Sequence, residues 1–104
     1  MKQTTVKVLV IPVRQKPSQT LSVMLGGQNC KINLYQKTTG MYVDLFVNNV
    51  AVFTTKLGRD RLSMTGKQYH GFVGDLYFKD LRGAADPHYS ELGKRFILGY
   101  AVPV

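Results

Sequence analysis

The chain has 104 residues, of which 44 % are apolar and 19 % charged. That suits one domain spanning 1–104 with its own core, and excludes both two separate cores and general disorder. With 14 Lys+Arg against 6 Asp+Glu the net charge is +8, which favours an acidic partner, either nucleic acid or an acidic protein surface.

The excess is uneven. Lys2, Lys7, Arg14, Lys16, Lys31 and Lys37 precede the first acidic residue, Asp44, while eight basic and six acidic residues share the remainder. A lone cysteine, Cys30, cannot staple the fold. The longest uncharged apolar runs, 8–13 and 96–104, each contain a proline and fall short of a membrane span. No signal peptide is expected, because Lys2 is followed by polar Gln3, Thr4 and Thr5.

Alternation with period two recurs along most of the chain. Val6, Val8 and Val10 alternate with Lys7, Leu9 and Ile11, a pattern expected of a strand covered on both faces. Pro12 and Pro17 then interrupt, since proline cannot donate to a central ladder. Leu21, Val23 and Leu25 form one face of the next strand. Gly26 and Gly27 supply the positive-φ residues of a hairpin turn. Cys30, Ile32 and Leu34 follow, opposed by Lys31, Asn33 and Tyr35. Gly40 closes a second turn before Met41, Val43, Leu45 and Val47, opposed by Tyr42, Asp44 and Phe46. Asn48-Asn49 is a two-residue turn signal before a strand at 50–53.

Residues 54–71 mix Leu57, Leu62 and Met64 with glycine and charge, so a loop or a short strand pair is expected there. Alternation returns at Phe72, Gly74, Leu76 and Phe78, opposed by Val73, Asp75, Tyr77 and Lys79. A connection follows over 82–93, in which Asp86 is expected to cap a helical turn that Pro87 begins. The last strand covers 95–102. The prediction is an all-β fold, a small antiparallel barrel or sandwich of about seven strands whose edges are closed or covered.

Catalytic and metal chemistry find little support. His70 and His88 are the only histidines, and Cys30 is the only further soft ligand, too few for a zinc site. Cys30 shares a face with Ile32 and Leu34 and reads as core. Asp75 and Asp80, five apart on a strand, face opposite sides and do not converge. No phosphate-loop motif occurs. Neither enzyme activity nor a cofactor is expected. Basic residues interleaved with aromatics allow a second reading, a small oligonucleotide-binding-type barrel that stacks bases on its rings. Tyr35, Tyr42, Phe46 and Tyr77 stand on the polar faces of their strands and are candidate protein-interface anchors.

The order of segments also carries a family resemblance. The stretches 21–25, 27–32 and 34–37, then 41–45, and then Gly71-Phe72-Val73-Gly74-Asp75-Leu76-Tyr77-Phe78 with Asp80, stand in a specific sequence. Asp86-Pro87, Tyr89, Leu92-Gly93 and Arg95-Phe96 complete it. Together they resemble the phage baseplate plug family, found at the central hub of contractile-tailed cyanophages. The resemblance covers Thr20 to Tyr100, without aligning 54–67 or the first 17 residues. Its motif residues here are Gly74, Asp75, Leu76, Asp86, Pro87, Tyr89, Leu92, Gly93 and Arg95. It implies a structural virion part in the tail baseplate, assembled in the bacterial host cytoplasm, with no membrane anchor. The implied partners are hub, spike or tube subunits and further copies in a symmetric homo-oligomer, with phage DNA passing close by.

Overall fold

A computed structural model describes residues 6–64 and 74–103. Seven strands lie within them: β1 (Val6–Ile11), β2 (Ser18–Leu25), β3 (Gln28–Lys37), β4 (Gly40–Val47), β5 (Val50–Leu57), β6 (Asp75–Asp80) and β7 (Phe96–Pro103). They form two antiparallel sheets, a four-stranded one in the order β2-β3-β4-β5 and a three-stranded one in the order β1-β7-β6. The fold is therefore a sandwich, and the barrel alternative is set aside because the two sheets keep separate edges.

The meander β2 to β5 follows directly from its turns. Asn48 and Asn49 adopt φ of 50° and 67°, the left-handed pair that a two-residue hairpin turn demands and that asparagine tolerates. Register then places Cys30 opposite Val47, Ile32 opposite Leu45 and Leu34 opposite Val43. One face of this sheet is thus continuously apolar. The three-stranded sheet answers it with Leu76, Phe78, Phe96, Leu98 and Tyr100, all buried. The six positions that alternation assigns to the core, Ile32, Leu34, Val43, Leu45, Leu76 and Phe78, are all fully buried.

Three elements differ from the pattern. First, β5 runs on to Leu57, where 50–53 was expected. Its Val50–Leu57 stretch faces the shorter Tyr42–Val47, and two register shifts take up the difference. At one of them Thr55 has φ of 54°, and its N–H donates to Asp44 Oδ1 at 2.8 Å. Period-two reading has no means of anticipating a bulge.

Second, β1 is not covered on both faces: its outer face is open and its inner face is closed only at Ile11 among the described side chains. Val8, Leu9 and Val10 are 52 %, 41 % and 58 % exposed, while Ile11 is buried. The strand lies at the edge of the smaller sheet, where no described segment reaches over it. Third, the helical turn is a short 3-10 segment at Tyr89–Glu91 capped by His88, whose ring accepts from Ser90 N–H. Asp86 instead accepts from Asp60 N–H at 3.0 Å, so the capping role expected of it falls two residues later. His70, Phe72 and Val73 lie outside the described residues.

Candidate protein interface

Because β3 and β4 alternate strictly, the residues opposite the core set form the outer face of the four-stranded sheet. Register sets Tyr35 beside Tyr42, Asn33 beside Asp44 and Lys31 beside Phe46. The two tyrosine rings stack with centroids 6.0 Å apart and planes 20° from parallel. Lys37 Nζ lies over both, 5.5 Å from the Tyr35 centroid and 5.3 Å from that of Tyr42. Lys31 Nζ sits 5.5 Å over Phe46. Each such cation–ring contact at an exposed site is worth about 0.5–1 kcal/mol.

These rings are held by a polar row. Thr20 donates to Asn33 at 2.9 Å, and Asn33 donates to Asp44 at 3.2 Å. The Tyr35 hydroxyl reaches Asp44 Oδ1 at 2.9 Å and Thr55 Oγ1 at 3.3 Å. The Tyr42 hydroxyl lies 2.6 Å from Thr39 Oγ1. Partial burial alone would raise the Asp44 carboxyl. The N–H of Thr55, the donors on Asn33 and Tyr35 and the charge of Lys37 outweigh it, so its pKa falls below the ordinary value. The Tyr35 phenol is raised, first by burial and further by the Asp44 charge, against an opposing bond from Thr55. At neutral pH the patch therefore carries a fixed carboxylate at its centre and two ammonium groups over its rings.

Tyr77 does not join this patch. It stands on the outer face of the other sheet, opposite Gly99. Its ring lies so close over Gly99 that a Cβ there would sit 2.5 Å from it. Arg61, Ser63, Asp75 and Lys79 border a shallow hollow beside it. Three of the four candidate anchors thus share one broad face, and the fourth occupies the opposite one. The role of Lys31, Lys37 and Asp44 in fixing the rings was legible only as their place on the same strand face.

The motif residues do different work. Asp80 is the one buried charged residue among those described. Arg95 Nε and Nη2 donate to its two oxygens at 2.8 and 2.9 Å. The N–H groups of Arg82 and Ala85 add bonds of 2.9 and 2.8 Å. The Arg95 bonds above all, with those backbone donors, outweigh burial and hold the Asp80 carboxyl well below the usual carboxylate range. Arg95 is pushed up in return, by the Asp80 hydrogen bonds first. Such a bidentate pair fixes both direction and distance. Here it ties the residue that leads into β7 to the end of β6.

A second layer surrounds the pair. Asp60 Oδ1 accepts from Asp80 N–H at 2.7 Å. Arg61 donates to Asp60 at 2.5 Å and to the carbonyls of Gly83 and Asp80 at 3.0 and 3.2 Å. Asp75 accepts from the Ser63 hydroxyl. Pro87 is buried, Leu92 is 1 % exposed, and Tyr89 N–H donates to Gln36 Oε1 at 3.1 Å.

The two motif glycines have backbone reasons. Gly74 has φ of 108°, and a Cβ there would lie 2.5 Å from the buried Tyr100 ring. Gly93 has φ of 81°, and its Cβ would press on the Val13 carbonyl at 3.0 Å. The motif is thus a set of loop fasteners, and the Asp80–Arg95 pair at its centre was not legible from spacing. Asp80 read only as a possible partner for Asp75, and the two indeed point to opposite sides of β6.

The described residues define a two-sheet β-sandwich whose buried side-chain nitrogen and oxygen atoms all have partners. None of its His, Cys, Asp and Glu side chains gather in threes that could hold a metal. Burial raises the Cys30 thiol, which keeps it in its protonated form. No described helix is long and apolar enough to cross a membrane. The family model for the cyanophage baseplate plug, Pam3 plug gp18, matches residues 8–103. The chain belongs to this family, whose members are structural components of the baseplate. The match takes in most of β1 and the whole 54–67 stretch, which the resemblance read from motifs left out. Comparison with curated proteins finds no match.

Proposed function

We propose that this chain is a non-catalytic baseplate part that docks neighbouring tail proteins on the outer face of its four-stranded sheet. The neighbours are hub, spike or tube subunits and further copies arranged symmetrically about the tail axis, assembled in the host cytoplasm. The observation that carries this is the patch of Tyr35, Tyr42 and Phe46 with Lys37 and Lys31 over the rings. These side chains are not needed to close the core, which lies on the other face. Rings already stacked and hydrogen-bonded lose little freedom on docking, while offering large area and polar rims. Tyr77 serves as a separate contact on the opposite face, where tail parts stacked above and below one another would meet it.

The test is the double variant Tyr42→Ser, Phe46→Ser, with folding and assembly measured separately. The expected result is an unchanged β spectrum and nearly unchanged thermal midpoint, with loss of co-purification with the tail proteins. A variant that unfolds as a free protomer would place these rings among the groups that hold the fold. A nucleic-acid role would instead show as DNA affinity falling roughly a thousandfold between low and moderate salt.

A further inference from the structure

The described residues leave the sandwich four sheet edges, and two are blunted along their backbone. The outer edge of β6 is occupied by residues 60–64, through Arg61 N–H to Phe78 O at 2.7 Å and Met64 N–H to Leu76 O at 2.8 Å. The edge strand β5 is bent by its two register shifts and by the left-handed Thr55, a device that discourages strand addition. On β2 the outward positions are Ser18, Thr20, Ser22 and Met24, all exposed, three of the four short and polar. The edge strand β1 lacks these protections. It pairs with β7 in unbroken register from Val6↔Pro103 to Ile11↔Leu98, and no described segment pairs with its other side. Val8, Leu9 and Val10 are all exposed on it.

The chain leaving β1 lines a cleft just past the end of this strand. Both backbone groups of Arg14 are held by the Gln19 amide, which accepts from its N–H at 3.0 Å and donates to its carbonyl at 2.6 Å. The connection is further pinned by Gln15, which donates to Ser90 O at 2.7 Å. The resulting cleft holds about 510 Å³ and is lined by Val13, Arg14, Lys16, Gln19 and Leu21 among others. It contains two cations and no carboxylate. The whole first 43 residues contain six basic residues and no acidic one.

We infer that β1 takes an added strand from a partner protein, an extended segment alternating apolar and acidic residues, with its carboxylates running into the Arg14–Lys16 cleft. The apolar positions of the guest cover Val8 and Val10, and its backbone fills the open edge. Charge decides against a second copy of this chain, since self-pairing would bring two all-basic segments together. The inference rests on the reading of the chain as an assembly part and specifies the chemistry of one partner.

The test uses the full chain and three nine-residue peptides alternating valine with glutamate, glutamine or lysine. A fourth glutamate peptide is N-methylated along one edge so that it cannot pair. Binding is followed by backbone amide resonances. The glutamate peptide should shift resonances of residues 8–21 and bind at least tenfold more tightly than the glutamine one. The lysine and N-methylated peptides should not bind. Arg14→Glu with Lys16→Glu should weaken the glutamate peptide at least tenfold, while Tyr42→Ser should leave it unchanged.

Equal binding of the glutamate and glutamine peptides, shifts confined to the Tyr35–Tyr42 face, or competition by a DNA oligonucleotide would each overturn the proposal. So would self-association of the free chain that Val10→Lys abolishes. Tails separate this from the broader reading. If they take up the Arg14→Glu, Lys16→Glu chain as fully as the unaltered one, the edge inference fails and the assembly reading stands. If they do not take up even the unaltered chain, the assembly reading itself fails.

Discussion

Asp80 shows how one residue governs the loops of this molecule. Its carboxylate is withdrawn from water, yet it accepts from the Arg95 guanidinium and from two backbone N–H groups. Removing one member of such a pair leaves an uncompensated buried charge, which is far costlier than the pair itself. The pH consequence follows from the sign of the shift. The folded carboxyl lies below its unfolded value, so its stabilisation is fully present above the unfolded pKa and is lost as pH falls through the folded one. Asp44, also lowered, adds in the same direction. The thermal midpoint should therefore be level between about pH 5 and pH 7 and fall steadily below about pH 4. Asp80→Asn should start lower at neutral pH and show a shallower fall on acidification. A full-depth acid transition in that variant would assign the effect to other carboxylates. The exposed pairs of Glu91 with Arg82 and Arg95, at 3.8 and 3.5 Å, should contribute little.

At the scale of elements, strict alternation makes β3 and β4 the most legible part of the chain. Leu45 is fully buried and pairs with Ile32 and Phe53. Leu45→Ala should destabilise by about 2–5 kcal/mol in chemical denaturation, and a loss within about 0.5 kcal/mol would reverse the assignment of faces. Gly74 is the sharper case, because its φ and its contact with Tyr100 both exclude a side chain. Gly74→Ala should cost more than Gly27→Ala, which shares a positive φ but meets nothing within 4 Å. Equal costs would mean that the Tyr100 ring yields freely. What alternation could not supply was the behaviour of edges and loops. The bulge at Thr55 depends on Asp44 capturing an N–H across the ladder. The exposure of β1 depends on which strand ends up outermost. The turn at Tyr89–Glu91 depends on His88 capping it while Asp86 is engaged by Asp60. Each is decided by a partner distant in sequence.

At the scale of the whole molecule, the two sheets divide the labour. The inner faces and the Asp80–Arg95 cluster hold the sandwich, and the outer faces and the β1 edge are the surfaces proposed for neighbours. The resemblance read from segment order and the family match over residues 8–103 agree on what such a sandwich is part of. The candidate anchors were legible as a class, aromatic residues opposite core residues, but not as a place. Nothing in the spacing tells that Tyr77 sits on a different sheet from Tyr35, Tyr42 and Phe46. The central claim, that this chain is a built-in part of the tail, is tested most directly by quantitative mass spectrometry of tails purified through a high-salt wash. The chain is expected at a fixed whole-number ratio to the other tail proteins, unchanged by the wash. Its absence from tails, or its release by salt into a DNA-bound fraction, would contradict that claim.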